Sequence, residues 1–409
     1  MTWIVLAWFL QHPPERSASV EALKADPAIA RAIAHVRDNE PRTIDEQVRL
    51  CEIPAPPFKE GARADAYRDA FTALGLKNVR IDAVGNVIGE RPGRAARPNV
   101  VLSAHLDTVF PEGTNVRTSR SGSVIKGPGI GDDCRGLAVV LAVVRALNEN
   151  RVETPGTLTF VGTVGEEGLG DLRGVKHLFD QEMKGRIDAF ISVDGAGHGI
   201  THGAVGSRRY RVTIKGPGGH SYGDFGLANP AHALGRAVAR IAEFQVSAAP
   251  KTTFNVGRIG GGTSVNSIPF EAWMEVDMRS IDAAALAALD KRFHQALDAA
   301  LADEHERSGG RGTLEMERTL VGFRPAGRVQ SSAPIVETTV AATRAVGLPV
   351  SLGEGSTDAN YPISLGIPAV TLDGGGSGDG SHSLGEWFDA TNAWQGTARA
   401  LLVAVSLAH

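Results

Sequence analysis

The chain has 409 residues, 42 of them lysine or arginine and 46 of them aspartate or glutamate, so its formal net charge is −4. This length exceeds one ordinary hydrophobic core and predicts two domains, and the charge balance excludes the basic surface of a nucleic-acid-binding protein. The two cysteines, Cys51 and Cys134, are too few for a disulfide framework, which favours a reducing compartment.

The apolar octet from Trp3 to Leu10 resembles the hydrophobic region of a signal peptide. It has neither a basic segment before it nor an obvious cleavage site of small residues after it, and eight residues cannot span a bilayer. We therefore expect a packed or amphipathic N-terminal extension and no membrane association. The expected location is the cytoplasm, with export as the alternative.

Helices and short strands alternate through the first half of the chain. Helical periodicity covers residues 27–76 with a break at 54–57, and an apolar segment that ends at His105 has the composition of a buried strand. The other predicted elements are strands at 79–81, 84–88, 124–126, 157–164 and 189–193, and helices at 134–147 and 175–179. Such alternation predicts an α/β fold with a mainly parallel mixed sheet between helices.

The pattern changes after Gly206. The predicted order becomes strand 208–215, helix 230–244, strands 253–259 and 271–278, helix 282–306 and strand 313–317. This β-α-β-β-α-β order is that of a ferredoxin-like unit and predicts a second domain inserted into the first. The α/β pattern then resumes with a helix at 333–346, a strand at 369–372 and a helix at 390–407. The predicted division is a first domain of residues 1–207 and 323–409, interrupted by a domain of residues 208–322.

The strand before His105 ends in that histidine, and an acid follows two residues later. Side chains two apart in an extended segment share a face, so the His105 ring and the Asp107 carboxylate can point together beyond the strand. The ring can then bind a metal ion while the acid orients it. The alternative for His105 is a hydrogen-bonded structural residue.

Residues 127–131 form a glycine-rich turn between a strand and a helix, which raises a dinucleotide-binding site as one interpretation. The third glycine of that fingerprint, which allows close helix packing, is Asp132 in this chain. We therefore favour a tight turn that presents Asp132 at a second strand end.

Acids and a histidine also follow other apolar segments. Glu166 and Glu167 follow a buried strand, and adjacent side chains diverge, so one can hold a metal ion while the other acts as general base. A solvated loop is the alternative for this pair. Asp194 follows a further strand, and His382 lies in a glycine-rich loop that offers few apolar partners.

Several segments of one predicted sheet thus end in an acid or a histidine at the carboxyl edge, where ligands bind in open α/β folds. Two histidines and three or four carboxylates suit a pair of divalent metal ions. Zinc is favoured, with cobalt and manganese as alternatives. The chain has no pair of cysteines suited to a structural zinc site.

On these motifs the chain resembles the dinuclear zinc exopeptidase and deacylase family that includes carboxypeptidase G, acetylornithine deacetylase, succinyl-diaminopimelate desuccinylase and peptidase T. The resemblance runs from about Thr43 onward and rests on five separated motifs in the same order. It implies that Asp107 orients a histidine ligand and that Glu166 is the general base. The implied metal ligands are His105, Asp132 as the bridge between two ions, Glu167, Asp194 and His382. The chain departs from the family at Cys134, where a lysine is common, and at Arg135, where a small residue is usual.

The inserted domain resembles the family's lid or dimerisation domain. Residues 216–221 match its histidine motif, and residues 260–269 with 276–279 match its Gly-Gly…Asn…Pro…Asp-x-Arg pattern. The resemblance implies that His220 of one chain completes the partner's active site and that Asn266 and Arg279 bind substrate. The alternatives are a loop histidine without a role and a surface ion pair at Arg279.

The resulting expectation is a homodimeric two-metal hydrolase that cleaves an amide bond in a short peptide or an N-acyl amino acid. One alternative within hydrolases is a deacylase rather than a peptidase. A two-metal phosphoesterase is disfavoured because no cluster of lysine or arginine surrounds the expected ligands. A catalytically silent metal-binding dimer is disfavoured because Glu166 has no structural role in the pattern.

Overall fold

The computed structural model describes residues 19–409, so the apolar N-terminal octet lies outside the described part of the chain. The α-helices of this part are Val20–Ala25 (α1), Pro27–Asp38 (α2), Glu40–Cys51 (α3), Gly61–Ala73 (α4), Cys134–Glu149 (α5), Arg173–His177 (α6), Pro230–Ala242 (α7), Ala283–Ser308 (α8), Pro334–Ala345 (α9), Asn360–Ser364 (α10) and Trp394–Leu407 (α11). Within residues 19–409, no helix combines the length and the apolar character that crossing a membrane requires.

The strands form one large sheet and three smaller ones. Their bounds are Lys77–Ile81 (β1), Val87–Arg91 (β2), Asn99–His105 (β3), Ser119–Ser121 (β4), Val124–Lys126 (β5), Thr157–Thr163 (β6), Ala189–Val193 (β7), Gly199–Ala204 (β8), Gly206–Lys215 (β9), Gly219–His220 (β10), Thr252–Gly261 (β11), Ser267–Ile268 (β12), Glu271–Ser280 (β13), Glu315–Arg324 (β14), Gly327–Arg328 (β15), Ser351–Gly355 (β16), Ala369–Leu372 (β17), Ser377–Asp379 (β18) and Trp387–Asp389 (β19).

The large sheet has the order β1-β2-β6-β3-β7-β17-β8-β15, with β16 beside β8. Its four central strands, β6, β3, β7 and β17, are parallel, and antiparallel neighbours flank them. Every residue of β3 is buried, because its alternate residues face two separate cores: Val100 and Leu102 contribute to one, and Val101 to the other. This confirms the predicted mainly parallel mixed sheet with helices on both faces.

The second sheet has the order β11-β13-β9-β14 and is antiparallel throughout. Alternate residues of β13 pack with α7 and α8 in a core of their own. The chain order β9-α7-β11-β13-α8-β14 follows the expected β-α-β-β-α-β pattern. Its strands run from Gly206 to Arg324, two residues beyond the expected bounds at each end. The division into domains itself stays a prediction.

Local sequence explains two differences between the expected and the observed strands. The strand predicted to start at residue 84 starts at Val87, because the Asp82 carboxylate accepts hydrogen bonds from the backbone of Val84, Gly85 and Asn86 and holds a turn there. The strand β8 was not predicted, because its sequence, Gly-Ile-Thr-His-Gly-Ala, lacks an apolar alternation.

Candidate active site

The parallel strands of the large sheet end at one edge, and the expected acids and histidines follow there. His105 is the last residue of β3, Glu166 and Glu167 lie just after β6, and Asp194 directly follows β7. Because parallel strands share the edge of their carboxyl ends, the sheet topology itself gathers these side chains. Thr163 at the end of β6 lies opposite His105 in the strand register.

A small antiparallel sheet brings Asp132 and His382 to the same place. Trp387 of β19 pairs with Lys126 of β5, so the segment that leaves β5 and the segment that enters β19 start from the same end of this pair. The first of these segments carries Asp132 and the second carries His382. The expected tight turn thus presents Asp132 beside the edge of the large sheet.

Asp132 lies between two histidines. Its Oδ1 is 3.0 Å from Nε2 of His105, and its Oδ2 is 3.2 Å from Nε2 of His382. Asp194 Oδ1 lies 3.9 Å from the His105 ring, and Glu167 Oε1 lies 2.8 Å from the His382 ring. Two groups therefore share Asp132: one with His105 and Asp194, the other with Glu167 and His382, each with its ligand atoms within 4.8 Å of one another.

Asp107 contacts both the His105 ring and the two glutamates that follow β6. Its main-chain oxygen lies 3.0 Å from Nδ1 of His105, whereas its carboxylate Oδ1 is 3.7 Å from that nitrogen. A carbonyl oxygen only accepts, so Nδ1 donates and Nε2 keeps its lone pair for a metal ion. The Asp107 carboxylate accepts hydrogen bonds from the backbone of Glu166 and Glu167, at 3.0 and 2.8 Å. Asp107 thus orients the histidine through its backbone and the two glutamates through its side chain.

Asp133 is a buried residue of the site that the sequence analysis missed. Its Oδ2 accepts a hydrogen bond from the backbone of His105, at 3.0 Å, and its Oδ1 accepts from Gly136 and Gly195, at 3.0 and 3.3 Å. One carboxylate therefore ties together the end of β3, the start of α5 and the turn after β7. Its N-cap position before a helix was the available signal.

Glu386 is the second missed residue, and it accounts for the glycine-rich turn. Its carboxylate accepts hydrogen bonds from the backbone of Gly129, Gly131 and Asp132, at 2.7, 2.8 and 2.9 Å. Burial raises the pKa of Glu386 to about 7, although these backbone donors lower it. Because the turn encloses a carboxylate of the chain itself, the dinucleotide interpretation is wrong.

The site concentrates negative charge. Glu166 is 4% exposed, and burial raises its pKa to about 8 against the opposing effect of the Arg324 guanidinium. Burial also holds the pKa of Asp194 well above its usual range. Hydrogen bonds to Asp132 and Glu167 raise the pKa of His382 to about 10. Converging carboxylates and imidazoles of this kind are a donor set that fits two divalent cations.

Three arginines also line the cavity over this cluster, which has a volume of about 300 Å³. Arg209 and Arg279 both donate through Nε to Asp277, at 3.1 and 2.7 Å, and Arg324 donates to Glu166 at 2.9 Å. Arginines therefore do lie near the expected ligands, and the prediction that none would, which disfavoured a phosphoesterase, is wrong. Arg279, which is 40% exposed, combines an ion pair with a position at the cavity wall.

The other two residues expected from the inserted segment lie elsewhere. The described residues that line the cavity include neither His220 nor Asn266. These two lie together on an exposed loop region built around the short strands β10 and β12. His220 ends β10, Asn266 directly precedes β12, and the backbone of Ser221 donates to the Asn266 carbonyl oxygen at 3.0 Å. The structure thus joins the five expected ligands, Asp107, Glu166 and Arg279 in one site and leaves His220 and Asn266 outside it.

The two residues that depart from the family pattern, Cys134 and Arg135, both pack inside the protein. Cys134 is fully buried in the apolar cluster that also contains Cys51, and both are free thiols. Arg135 is fully buried, and it donates to Glu40 and to the main-chain oxygens of Gly374 and Ala393 at 2.7–2.9 Å. This arginine joins α5 to α3 and to the start of α11.

Known proteins resemble this chain over most of its length. The model of peptidase family M20/M25/M40 matches residues 101–405. The uncharacterized protein YqjE of Bacillus subtilis is 28% identical over 353 residues, which cover 82% of this chain and 90% of that protein. A succinyl-diaminopimelate desuccinylase of Corynebacterium glutamicum is 28% identical over 238 residues, covering 56% of this chain and 64% of that protein.

A tripeptidase of Staphylococcus aureus has a similar structure, with a TM-score of 0.74 and 22% identity over 90% of this chain and 98% of that one. At this level of identity the likeness shows a shared fold. The family model, in contrast, covers well over half of the chain and includes every expected metal ligand. The chain therefore belongs to peptidase family M20/M25/M40 and is a hydrolase of amide (C–N) bonds.

Proposed function

We propose that the protein is a two-metal hydrolase that cleaves an amide bond in a short peptide or an N-acyl amino acid. The observation that carries this proposal is the carboxylate of Asp132 between two histidines, with a second acid beside each histidine. Zinc is the proposed ion, because imidazole and carboxylate ligands suit it. Cobalt and manganese are the alternatives.

The proposed ligands form two sets that share one residue. His105, Asp132 and Asp194 would hold one ion, and Asp132, Glu167 and His382 would hold the other. When bound, the ions polarise the substrate carbonyl and make the attacking water more acidic.

Glu166 is the proposed general base and acid. Arg324 donates to its Oε1, so Oε2 is the atom that takes a proton from the attacking water and returns it to the leaving nitrogen. Burial beside the cluster gives this carboxylate a raised pKa, which suits a group that must both accept and give up a proton near neutral pH. This role also argues against a catalytically silent metal-binding protein.

The size of the cavity favours small substrates. At about 300 Å³ it lies at the lower end of the range for ligand sites, which suits a di- or tripeptide or an N-acyl amino acid. The tripeptidase and the desuccinylase named above represent both classes. Turnover should be measured on di- and tripeptides beside N-acetyl and N-succinyl amino acids. Preferred turnover of peptides supports a peptidase, preferred turnover of acyl amino acids supports a deacylase, and turnover of neither refutes the proposal.

Arg279 is the proposed receptor for a substrate carboxylate. Asp277 holds its Nε, which leaves the fork of terminal nitrogens at the cavity wall to match a carboxylate. Because Asn266 lies outside the cavity of its own chain, its amide is proposed as a second donor to the site of the other subunit in a dimer. Amidation of an active peptide's C-terminus leaves the terminal nitrogens of Arg279 without a charged partner. Because this side chain is 40% exposed and keeps its contact with Asp277, the cost is on the order of 2 kcal/mol, the lower end for such a pair. We therefore expect the amide to lose about 30-fold or more in kcat/KM, at about 1.4 kcal/mol per tenfold.

The acid-to-amide ratio of kcat/KM measures this effect. Arg279→Ala should lower turnover of the acid and hardly change turnover of the amide, whereas Arg258→Ala should leave the ratio unchanged. Arg258 is a suitable control because it is exposed on the same sheet and pairs with Glu275 instead. Equal turnover of acid and amide by the parent protein would refute carboxylate recognition and favour an aminopeptidase that holds the N-terminus.

Glu386 is expected to support metal binding without touching the ions. The Glu386→Gln change leaves part of the glycine-rich turn without its acceptor, so the turn loosens where it positions Asp132. We expect the affinity for zinc to fall by about 10- to 100-fold, as for other groups that orient ligands. Competition with a chromophoric chelator measures this, and the exposed Glu112→Gln variant is the control. An unchanged affinity would contradict this support role.

We also propose a homodimer in which the loop of His220 and Asn266 meets the partner subunit. Three large apolar residues near this loop, Tyr222, Phe225 and Val265, are at least 79% exposed in the single chain. Such a concentration of exposed apolar side chains is typical of a surface that another protein covers. The inserted segment is thereby proposed as the lid and dimerisation domain.

The proposed cellular location is the cytoplasm, because both cysteines are free thiols and a reducing compartment keeps them so.

A further inference from the structure

A second cavity adjoins the cavity over the metal ligands. It has a volume of about 170 Å³, and none of the proposed ligands lies in its wall. Arg209 lines both cavities, and Leu169 in the wall of the second directly follows Gly168 in the wall of the first. One terminal nitrogen of Arg209 donates to the main-chain oxygen of Gly168 at 2.6 Å. The two cavities therefore meet at this contact.

The strand register places the second cavity on the face of the second sheet that is turned towards the ligands. Asp277 of β13 lies opposite Arg209 of β9 on one side and opposite Asn255 of β11 on the other. Directly opposite residues share a face of a sheet, and Arg209 marks this face as the one over the ligands. The opposite face packs against α7 and α8. A substrate at the ligands thus has the second cavity as its neighbour.

Most of the wall of the second cavity is apolar. Leu169, whose side chain lies in this wall, is 61% exposed, and Val321 is half-buried. Gly257 adds free space, because a Cβ atom at this position would meet only the amide nitrogen of Asn255, at 3.4 Å. The wall therefore has apolar surface that a ligand could cover.

The charged groups in the same wall already have partners. Arg209 pairs with Asp277 at 3.1 Å, and Arg258 pairs with Glu275 at 2.9 Å. A charged ligand group would lose its hydration in this cavity and would compete with these pairs, whereas an apolar group loses nothing by leaving water. An uncharged apolar group is thus the chemistry that the cavity favours.

We propose that this cavity, the apolar compartment, receives the side chain of the substrate residue that bears the carboxylate. Asp277 lines the compartment and also holds the Nε of Arg279, the proposed receptor for that carboxylate. The side chain of an amino acid starts at the atom next to its carboxylate carbon, so it starts beside this wall. The volume of about 170 Å³ is close to that of a cavity of about 150 Å³ that holds benzene, which suits leucine or phenylalanine.

The inference rests on the proposed function and names its substrate class. The expected substrates are short peptides that end in an apolar residue such as leucine or phenylalanine, or N-acyl derivatives of these amino acids. Leu169, Gly257 and Val321 are then residues that determine specificity.

A matched series of substrates tests the proposal. Its members differ only in the residue that bears the carboxylate, which is alanine, valine, leucine, phenylalanine, aspartate or lysine. We expect kcat/KM to rise by about 10- to 100-fold from alanine to leucine, because a hydrophobic pocket gains roughly tenfold or more from a methylene that it buries. Aspartate and lysine should be no better than alanine.

Two variants change the compartment itself. Gly257→Val fills part of it and should lower the leucine-to-alanine ratio of kcat/KM to about threefold or less. Its matched control is Gly353→Val, at a glycine of β16 that also has open space at its Cβ position. Leu169→Ser removes apolar wall and should lower the ratio by about threefold or more, with the exposed Leu365→Ser as its control. Because Leu169 is exposed, this second variant is expected to fold even if the first does not.

Binding adds a readout without turnover. In the Glu166→Gln protein, calorimetry should give the leucine substrate a Kd about tenfold below that of the alanine substrate, and adding Gly257→Val should remove this difference. Equal kcat/KM for alanine and leucine, a preference for aspartate or lysine, or an unchanged ratio in Leu169→Ser would overturn the proposal. A parent protein that hydrolyses no member of either class would show that the proposed function fails, and the Kd difference would then decide on the apolar compartment by itself.

Discussion

The Glu166→Gln variant is expected to keep both metal ions and to lose about 100- to 10,000-fold in kcat. Glutamine has the shape of glutamate and can still accept the hydrogen bond from Arg324, but it cannot take a proton from water. The neighbouring Glu167 instead contacts a proposed metal ligand, since its Oε1 lies 2.8 Å from the His382 ring. Kinetics on an active substrate and elemental analysis of the same preparation measure both quantities.

Glu167→Gln is the matched comparison, with the same chemical change one residue later. We expect it to lose one of the two ions along with activity, because a neutral amide replaces a charged ligand. Full metal occupancy in Glu167→Gln, or metal loss in Glu166→Gln, would show that the two glutamates have the opposite roles.

The second large effect concerns His220, which lies outside the cavity of its own chain. If it donates to the developing oxyanion in the partner's site, His220→Ala should lower kcat by about 100- to 1,000-fold. Mixing this variant with Glu166→Gln forms heterodimers in which one of the two sites has both groups intact. Statistical exchange should then restore roughly a quarter of the parent activity, since half of the dimers are mixed.

Mass spectrometry of differently tagged chains verifies that subunits have exchanged, and each variant mixed with itself is the control. Verified exchange without any gain in activity would refute the shared site. A protein that is monomeric at working concentration and still needs His220 would also contradict it, because the loop would then have to act within its own chain.

Local patterns were sufficient to predict the part of the site that the large sheet positions. His105, Glu166, Glu167 and Asp194 each follow an apolar strand, and parallel strands share one edge, so the strand pattern alone places these side chains together. Asp132 and His382 were also candidates from the local sequence, but their position beside this edge could not be derived from it. Their approach depends on the pairing of β5 with β19, which are more than 250 residues apart, and neither strand has a strong pattern of its own.

The supporting groups could not be predicted from local sequence. Glu386 and Arg324 contact segments far away in the chain, and each looks like an ordinary loop or strand residue by itself. Arg209 and Arg324 were not predicted at the site, and Arg279 was expected there only from the family resemblance; the second sheet brings all three to the cavity. Long-range pairing decides such contacts, and local patterns carry no signal for it.

Titration of the metal-free protein with zinc, while hydrolysis of a short peptide and of an N-acyl amino acid is followed, tests the two-metal hydrolase most directly. The shared carboxylate of Asp132 predicts that activity rises with added zinc and levels off at about two ions per chain. Saturation at one ion per chain, or full activity in the protein stripped of metal, would contradict a dinuclear site.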